Sequence, residues 1–168
     1  MQLSIGTANF GLKYGQDNEF RQLSRDDIIM ILNLAQDNKI NHLDTAGAYG
    51  DSEKILGKIG VERWKVTGKI PSIPKDEKNV QRFIESKINE SLNNLKIPFF
   101  ESILIHNPND FVTHNANQIV NGLRQIKTKG FVKKIGVSVY QKSELDHCLN
   151  YFEPDVVQFP LNLLDNRF

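Results

Sequence analysis

Six short apolar runs alternate along this chain with longer stretches of helical periodicity, and that alternation restricts the fold more than any other feature. The clearest run is Ser102-Ile103-Leu104-Ile105, fully apolar in its middle and followed at once by His106-Asn107-Pro108. An unbroken apolar run of this length fits a strand buried on both faces, as in a parallel sheet covered by helices. The other strand candidates are Leu3 to Thr7, Ile40 to Leu43, Trp64 to Thr67, Ile135 to Val139 and Asp155 to Phe159.

Helices fill the intervals. Ser24, with Asp27 three residues on, caps a first helix whose Ile28, Ile31, Leu32 and Ala35 recur at helical spacing through about Asn38. A second starts near Asp51-Ser52-Glu53, which can cap it, carries Ile55, Leu56 and Ile59, and ends at Gly60. A third runs from about Asn79 to Leu95, with Val80, Phe83, Ile84, Ile88 and Leu92 along one stripe, and Pro98 closes it. A fourth spans Asn117 to Thr128, with Ile119, Leu123 and Ile126 inward. Lys142-Ser143-Glu144 opens a fifth, containing Leu145, Leu149 and, as a small core residue, Cys148.

Each crossover is long enough for a parallel connection, so the chain reads as one α/β domain over residues 1–168. Gly6, Gly11 and Gly15 are too irregularly placed for a dinucleotide-binding fingerprint and read as turn glycines with positive φ. Without that fingerprint, a parallel (β/α) barrel of the TIM type fits at least as well as an open doubly wound sheet. A closed barrel takes eight strand–helix units and typically ~250 residues. The expectation is therefore an incomplete barrel, about six of eight units, forming the N-terminal portion of one. Open edges at the first and sixth strands predict oligomerisation, swapping or modest stability.

Bulk properties exclude several function classes. A net charge of +1 gives no reason to expect a nucleic-acid or membrane-surface partner. No apolar segment approaches the roughly 20 residues that span a bilayer, and Met1-Gln2-Leu3-Ser4 lacks the basic and apolar regions of a signal peptide. One cysteine excludes an internal disulfide framework, and a reducing cytoplasm is the expected location. His42, His114 and His147 show no metal-binding spacing, so no metal is expected.

In parallel barrels the site forms at the carboxyl ends of strands. Asp44 follows the second strand, Tyr49 sits on its loop, Lys69 falls just beyond the third and His106 just beyond the fourth. Singly, each has an ordinary explanation: a turn acid, a half-buried phenol, a solvated lysine, a histidine in an Asn-Pro turn. At three successive strand ends they point together to one mouth.

These residues resemble the aldo-keto reductase family. The resemblance lies in Asp44-Thr45-Ala46-x-x-Tyr49-Gly50-x-Ser52-Glu53, Lys69 after its strand, Leu104-Ile105-His106-x-Pro108, Gly136-Val137-Ser138 and Val157-Gln158-x-Pro160-x-Asn162. Ile5-Gly6-Thr7-Ala8-x-Phe10-Gly11 is similar to the family's first strand and loop. The resemblance implies hydride transfer from NADPH to a small-molecule aldehyde or ketone, with a catalytic set of Asp44, Tyr49, Lys69 and His106. Tyr49 would donate the proton. An unperturbed tyrosine titrates near ~10, and a nearby ammonium favours its phenolate; Lys69, held by Asp44, would supply that charge. His106 would hydrogen-bond the substrate oxygen.

By the same resemblance Gly6, Thr7, Asp44, Ser138 and Gln158 would contact the cofactor, the last two at the nicotinamide carboxamide. Phe10, Tyr49 and His106 would face the substrate. Many relatives have Asn after the serine where this chain has Val139. The residues that grip the cofactor's adenosine phosphates come, in the family, from the last two units, outside the six counted here. Two alternatives stand beside the reductase: a catalytically weak or inactive truncated remnant serving as an oligomer-forming scaffold, and a barrel enzyme using Lys69 for Schiff-base chemistry.

Overall fold

A computed structural model describes residues 2–13 and 22–165. The element order is β1 (Ile5–Gly6), α1 (Ala8–Gly11), α2 (Arg25–Asp37), β2 (His42–Asp44), α3 (Ser52–Ile59), β3 (Lys65–Ile70), α4 (Val80–Leu95), β4 (Phe100–Ile105), α5 (Asp110–Thr113), α6 (Ala116–Thr128), β5 (Val132–Ser138), α7 (Lys142–Leu149) and β6 (Val156–Gln158). The six strands among the described residues form one all-parallel sheet in chain order, β1 to β6. The sheet curls into part of a (β/α) barrel. Across its mouth the side chain ending β6 reaches the one ending β2, with Gln158 Nε2 2.9 Å from Asp44 Oδ1.

The core follows from the sequence pattern. Ile103, Leu104 and Ile105 of β4 are all at or below 1% exposure, as a strand covered on both faces requires. Ile84 and Ile88 of α4 and Ile119, Leu123 and Ile126 of α6 turn inward at helical spacing. Full burial of each such side chain stabilises by about 1.5–3 kcal/mol. Ser24 caps α2 with both halves of a capping box: its hydroxyl accepts from Asp27 N–H, and the Asp27 carboxylate accepts from Ser24 N–H.

Several boundaries differ from those the hydropathy indicates. β3 runs to Ile70 rather than ending at Thr67, because Thr67 to Ile70 pair in register with Ser102 to Ile105. Lys69 is thus inside the strand, held by the ladder, rather than on the loop after it. β5 begins at Val132, ahead of its apolar run, because Val132 pairs with Phe100 and Lys134 with Ser102. The short helices α1 and α5 are too brief to show periodicity. At the end of α7, Leu149 is 49% exposed while Cys148 is fully buried; burial pushes its thiol up to about 11.

The glycine expectation also needs correction. Neither Gly6 nor Gly11 has positive φ, and Gly15 lies outside the described residues. Gly11 is required by close approach: a Cβ there would sit 1.9 Å from the Tyr49 carbonyl oxygen and 2.3 Å from Ser52 N. Facing it, Gly50 has φ +57°, and a Cβ on it would lie 2.5 Å from the Gly11 carbonyl oxygen. The α1 turn and the Tyr49 loop are therefore in backbone contact.

Candidate active site

Five strand ends and one loop supply the polar groups of one cavity. Asp44 is the last residue of β2, Lys69 the penultimate residue of β3, Ser138 the last of β5 and Gln158 the last of β6. Tyr49 rises from the loop between β2 and α3, and His106 follows β4 directly. All six line a cavity of about 340 Å³, whose remaining wall is Val139, Tyr140, Phe159 and Pro160. A larger hollow of about 470 Å³, bounded by Arg25, Ile55 and Lys58, contains none of them.

Lys69 is the hub. Its Nζ donates to both Asp44 oxygens, at 2.7 and 2.6 Å, and lies 3.4 Å from both the Thr45 carbonyl oxygen and the Tyr49 hydroxyl. The ammonium also stands 5.3 Å from the Tyr49 ring centroid. His106 packs its ring edge-on to Tyr49, with centroids 5.9 Å apart and planes at 83°. Burial lowers the pKa of His106, the Lys69 ammonium lowers it further, and the Asp44 carboxylate opposes both. A neutral imidazole beside a phenol and an ammonium can orient and polarise an oxygen without competing for its proton.

The surroundings fix these groups. Thr7 donates to the Asp44 carbonyl through both its N–H and its hydroxyl, each at 3.0 Å. Within the capping stretch Asp51-Ser52-Glu53, the Ser52 hydroxyl does not cap α3 but donates to the Thr7 carbonyl at 3.0 Å. Asp51, at the N-cap position of α3, makes no capping bond and instead pairs with Lys54. Asp110, 3% exposed, ties two loops together: its carboxylate accepts from Ile73 N–H at 3.1 Å and from the Asn107 amide at 3.2 Å, next to His106. No periodicity singles out Asp110 in the sequence; the Asn107-Pro108-Asn109-Asp110 turn is its one signal.

Other expected residues lie elsewhere. Phe10 is 2% exposed and packs in the core, and the Thr7 hydroxyl is occupied within the backbone network, so neither lines the cavity. At Gly6 a Cβ would meet nothing within 4 Å, leaving open space at the end of β1 beside Asp44, its ladder partner. Gln158 does face the cavity, and its amide donates to Asp44. As a receptor for a nicotinamide, the donor set fits: Ser138 and Gln158 offer a hydroxyl and an amide at one end, with apolar and aromatic walls for a flat ring.

Comparison with known proteins agrees with this architecture. The model of the Aldo/keto reductase family matches residues 2–168. An aldo-keto reductase structure from Pseudomonas aeruginosa superposes with a TM-score of 0.80 at 25% identity, covering 98% of this chain and 64% of that one. Glycerol dehydrogenase from Gluconobacter oxydans gives 0.73 at 25% identity, covering 96% of this chain and 52% of that one. A Bombyx mori aldo-keto reductase solved with NADP shares the fold, with a TM-score of 0.69 at 21% identity over 95% of this chain and 54% of that one. The chain thus spans about half to two thirds of the length of these relatives. Among curated proteins no match is found. With the family model matched along nearly its whole length and the curled parallel sheet in common, the chain belongs to the aldo/keto reductase family.

Proposed function

We propose that this chain carries the proton-donating centre of an NADPH-dependent reductase that converts a small aldehyde or ketone to an alcohol. The observation that carries the reading is the Tyr49 hydroxyl 3.4 Å from the Lys69 ammonium, which is itself locked to Asp44. A bound nicotinamide supplies the hydride that adds to the carbonyl carbon. The chain's own residues handle the oxygen. His106 donates a hydrogen bond to it and fixes the carbonyl plane. Tyr49 gives its hydroxyl proton to the developing alkoxide, and the Lys69 ammonium stabilises the phenolate left behind until water reprotonates it. Ser138 and Gln158, which line the cavity, would hold the carboxamide end of the nicotinamide. Gly6, by leaving space next to Asp44, admits the cofactor; Thr7 contributes through the backbone it fixes, and Phe10 by supporting the α1 turn. A reducing, NADPH-supplied cytoplasm is the location that accords with this reading, and the free, buried Cys148 thiol is compatible with it.

The test is a titration with NADPH, following its fluorescence, with carbonyl-dependent loss of nicotinamide absorbance as the second stage. Saturable binding and turnover are expected; no binding at submillimolar cofactor would remove the reading for this chain. A second reading, an oligomer-forming scaffold, draws on Leu163 and Leu164, which are 102% and 98% exposed beyond β6, and on the edges of β1 and β6, which have no further ladder partner among the described residues. It predicts a light-scattering mass above that of one chain, without cofactor binding.

A further inference from the structure

Gln158 holds a position that its expected cofactor role does not account for. It ends β6, where Ser138 is its ladder partner and Val139 N–H donates to its carbonyl at 2.8 Å. From there its side-chain amide crosses the mouth of the curled sheet and donates to Asp44 Oδ1 at 2.9 Å. Asp44 and Gln158 are 114 residues apart in sequence, and β3, β4 and β5 lie between their strands in the sheet. The same Oδ1 accepts from Lys69 at 2.7 Å, while Oδ2 accepts from Lys69 at 2.6 Å. The carboxylate is thus held from the β3 side by the ammonium and from the β6 side by the amide.

We infer that Gln158 is a positioning residue for proton transfer: by holding Asp44 Oδ1 from across the barrel mouth, it keeps the Asp44–Lys69 pair aimed at the Tyr49 hydroxyl. The inference rests on the reductase reading given above. Its physical content is a restraint on rotation. Without the amide, Asp44 Oδ1 faces the cavity with one partner fewer, and the carboxylate can turn toward solvent water, drawing the ammonium away from Tyr49. Losing a hydrogen bond to a charged group weakens an equilibrium by about tenfold or more. The amide keeps its second N–H and its carbonyl oxygen for a ligand, so the restraint and a carboxamide contact are compatible.

A double-mutant cycle of Gln158→Leu and Asp44→Ala, the second of which removes the acceptor, tests it, first in cofactor-free protein by urea unfolding. In the wild-type background Gln158→Leu is expected to weaken the folding equilibrium constant about tenfold; with Asp44→Ala present the effect should fall below about twofold. Should the Asp44 variant fail to fold, the wild-type protein still decides by NMR. The Gln158 side-chain amide signals, identified by their loss in Gln158→Leu, should include one proton slow to exchange with solvent. Two freely exchanging protons would overturn the inference. In the turnover assay Gln158→Leu should lower kcat about tenfold while leaving the carbonyl KM within about twofold. Additive penalties in the cycle, or a weakened NADPH affinity with kcat unchanged, would also overturn it. If the wild-type chain reduces no carbonyl, the reductase reading falls, and the unfolding cycle and the amide exchange still report whether Gln158 restrains Asp44.

Discussion

Lys69 and Asp44 form a two-pronged ion pair in which the lysine side chain is 3% exposed and the aspartate 20%. The asymmetry in burial makes the two halves unequal. Removing one partner of a buried pair costs about 3–5 kcal/mol, because the other charge is left uncompensated. Asp44→Ala strands the more deeply buried charge, whereas Lys69→Met leaves a carboxylate that water can reach. Urea unfolding should show Asp44→Ala as the more destabilising by at least ~1 kcal/mol. Equal losses would mean that Asp44 is no better solvated than Lys69.

Tyr49→Phe keeps the ring that packs against His106 and removes only the hydroxyl near Lys69. Carbonyl reduction should fall by about 10²–10⁴-fold, the usual range for a general acid. NADPH affinity, read from fluorescence, should stay within about twofold. Turnover at the wild-type rate would take the acid role from Tyr49.

Gly11→Ala tests the backbone contact between the α1 turn and the Tyr49 loop. The added methyl would meet the Tyr49 carbonyl oxygen and Ser52 N–H, and neither is a flexible side-chain end. Overpacking of this kind costs about 1–3 kcal/mol, and displacing the Tyr49 loop by ~1 Å should lower turnover by up to ~10²-fold. Gly47→Ala is the control on stability, since a Cβ there has ordinary contacts at 3.8 and 3.9 Å; its effect should lie within about 0.5 kcal/mol. Equal stability of the two variants would show that the Tyr49 loop yields freely.

His106 makes stability depend on pH with a definite sign. Its folded pKa lies below the ordinary 6.5, chiefly because of burial. Between the two values the unfolded chain binds more protons, so stability falls as pH drops through 6.5 and levels off below the folded pKa. His106→Asn removes this segment of the slope. The difference between wild type and variant in unfolding free energy, followed by urea titration across this window, should shrink as the solution is acidified. A difference that does not change with pH would mean that His106 titrates normally.

The order of the sheet came with the family resemblance, whereas the alternation of strands and helices and the placing of Asp44, Tyr49, Lys69 and His106 near successive strand ends were legible in the sequence. Period and composition encode those features locally, as Ile103-Leu104-Ile105 and the α4 stripe illustrate. What was not legible depended on partners distant in the chain. β3 extends past Thr67 because β4 offers ladder partners, which moves Lys69 from loop to strand. Gly11 is explained by Tyr49 and Ser52 rather than by its own φ. The bond from Gln158 to Asp44 follows from the curl of the sheet, which no local spacing expresses. Phe10 looked like a mouth residue from its motif, yet the short α1 helix turns it into the core.

The chain-order sheet also has a consequence for synthesis. Each strand pairs with the one made just before it, so every new strand finds its docking edge already complete as it leaves the ribosome. The site would assemble on the same schedule: Asp44 meets Lys69 when the third strand docks, and His106 joins with the fourth. Gln158 follows with β6, so the amide that restrains Asp44 is added to a centre already built from β2, β3 and β4 in the order in which they are translated.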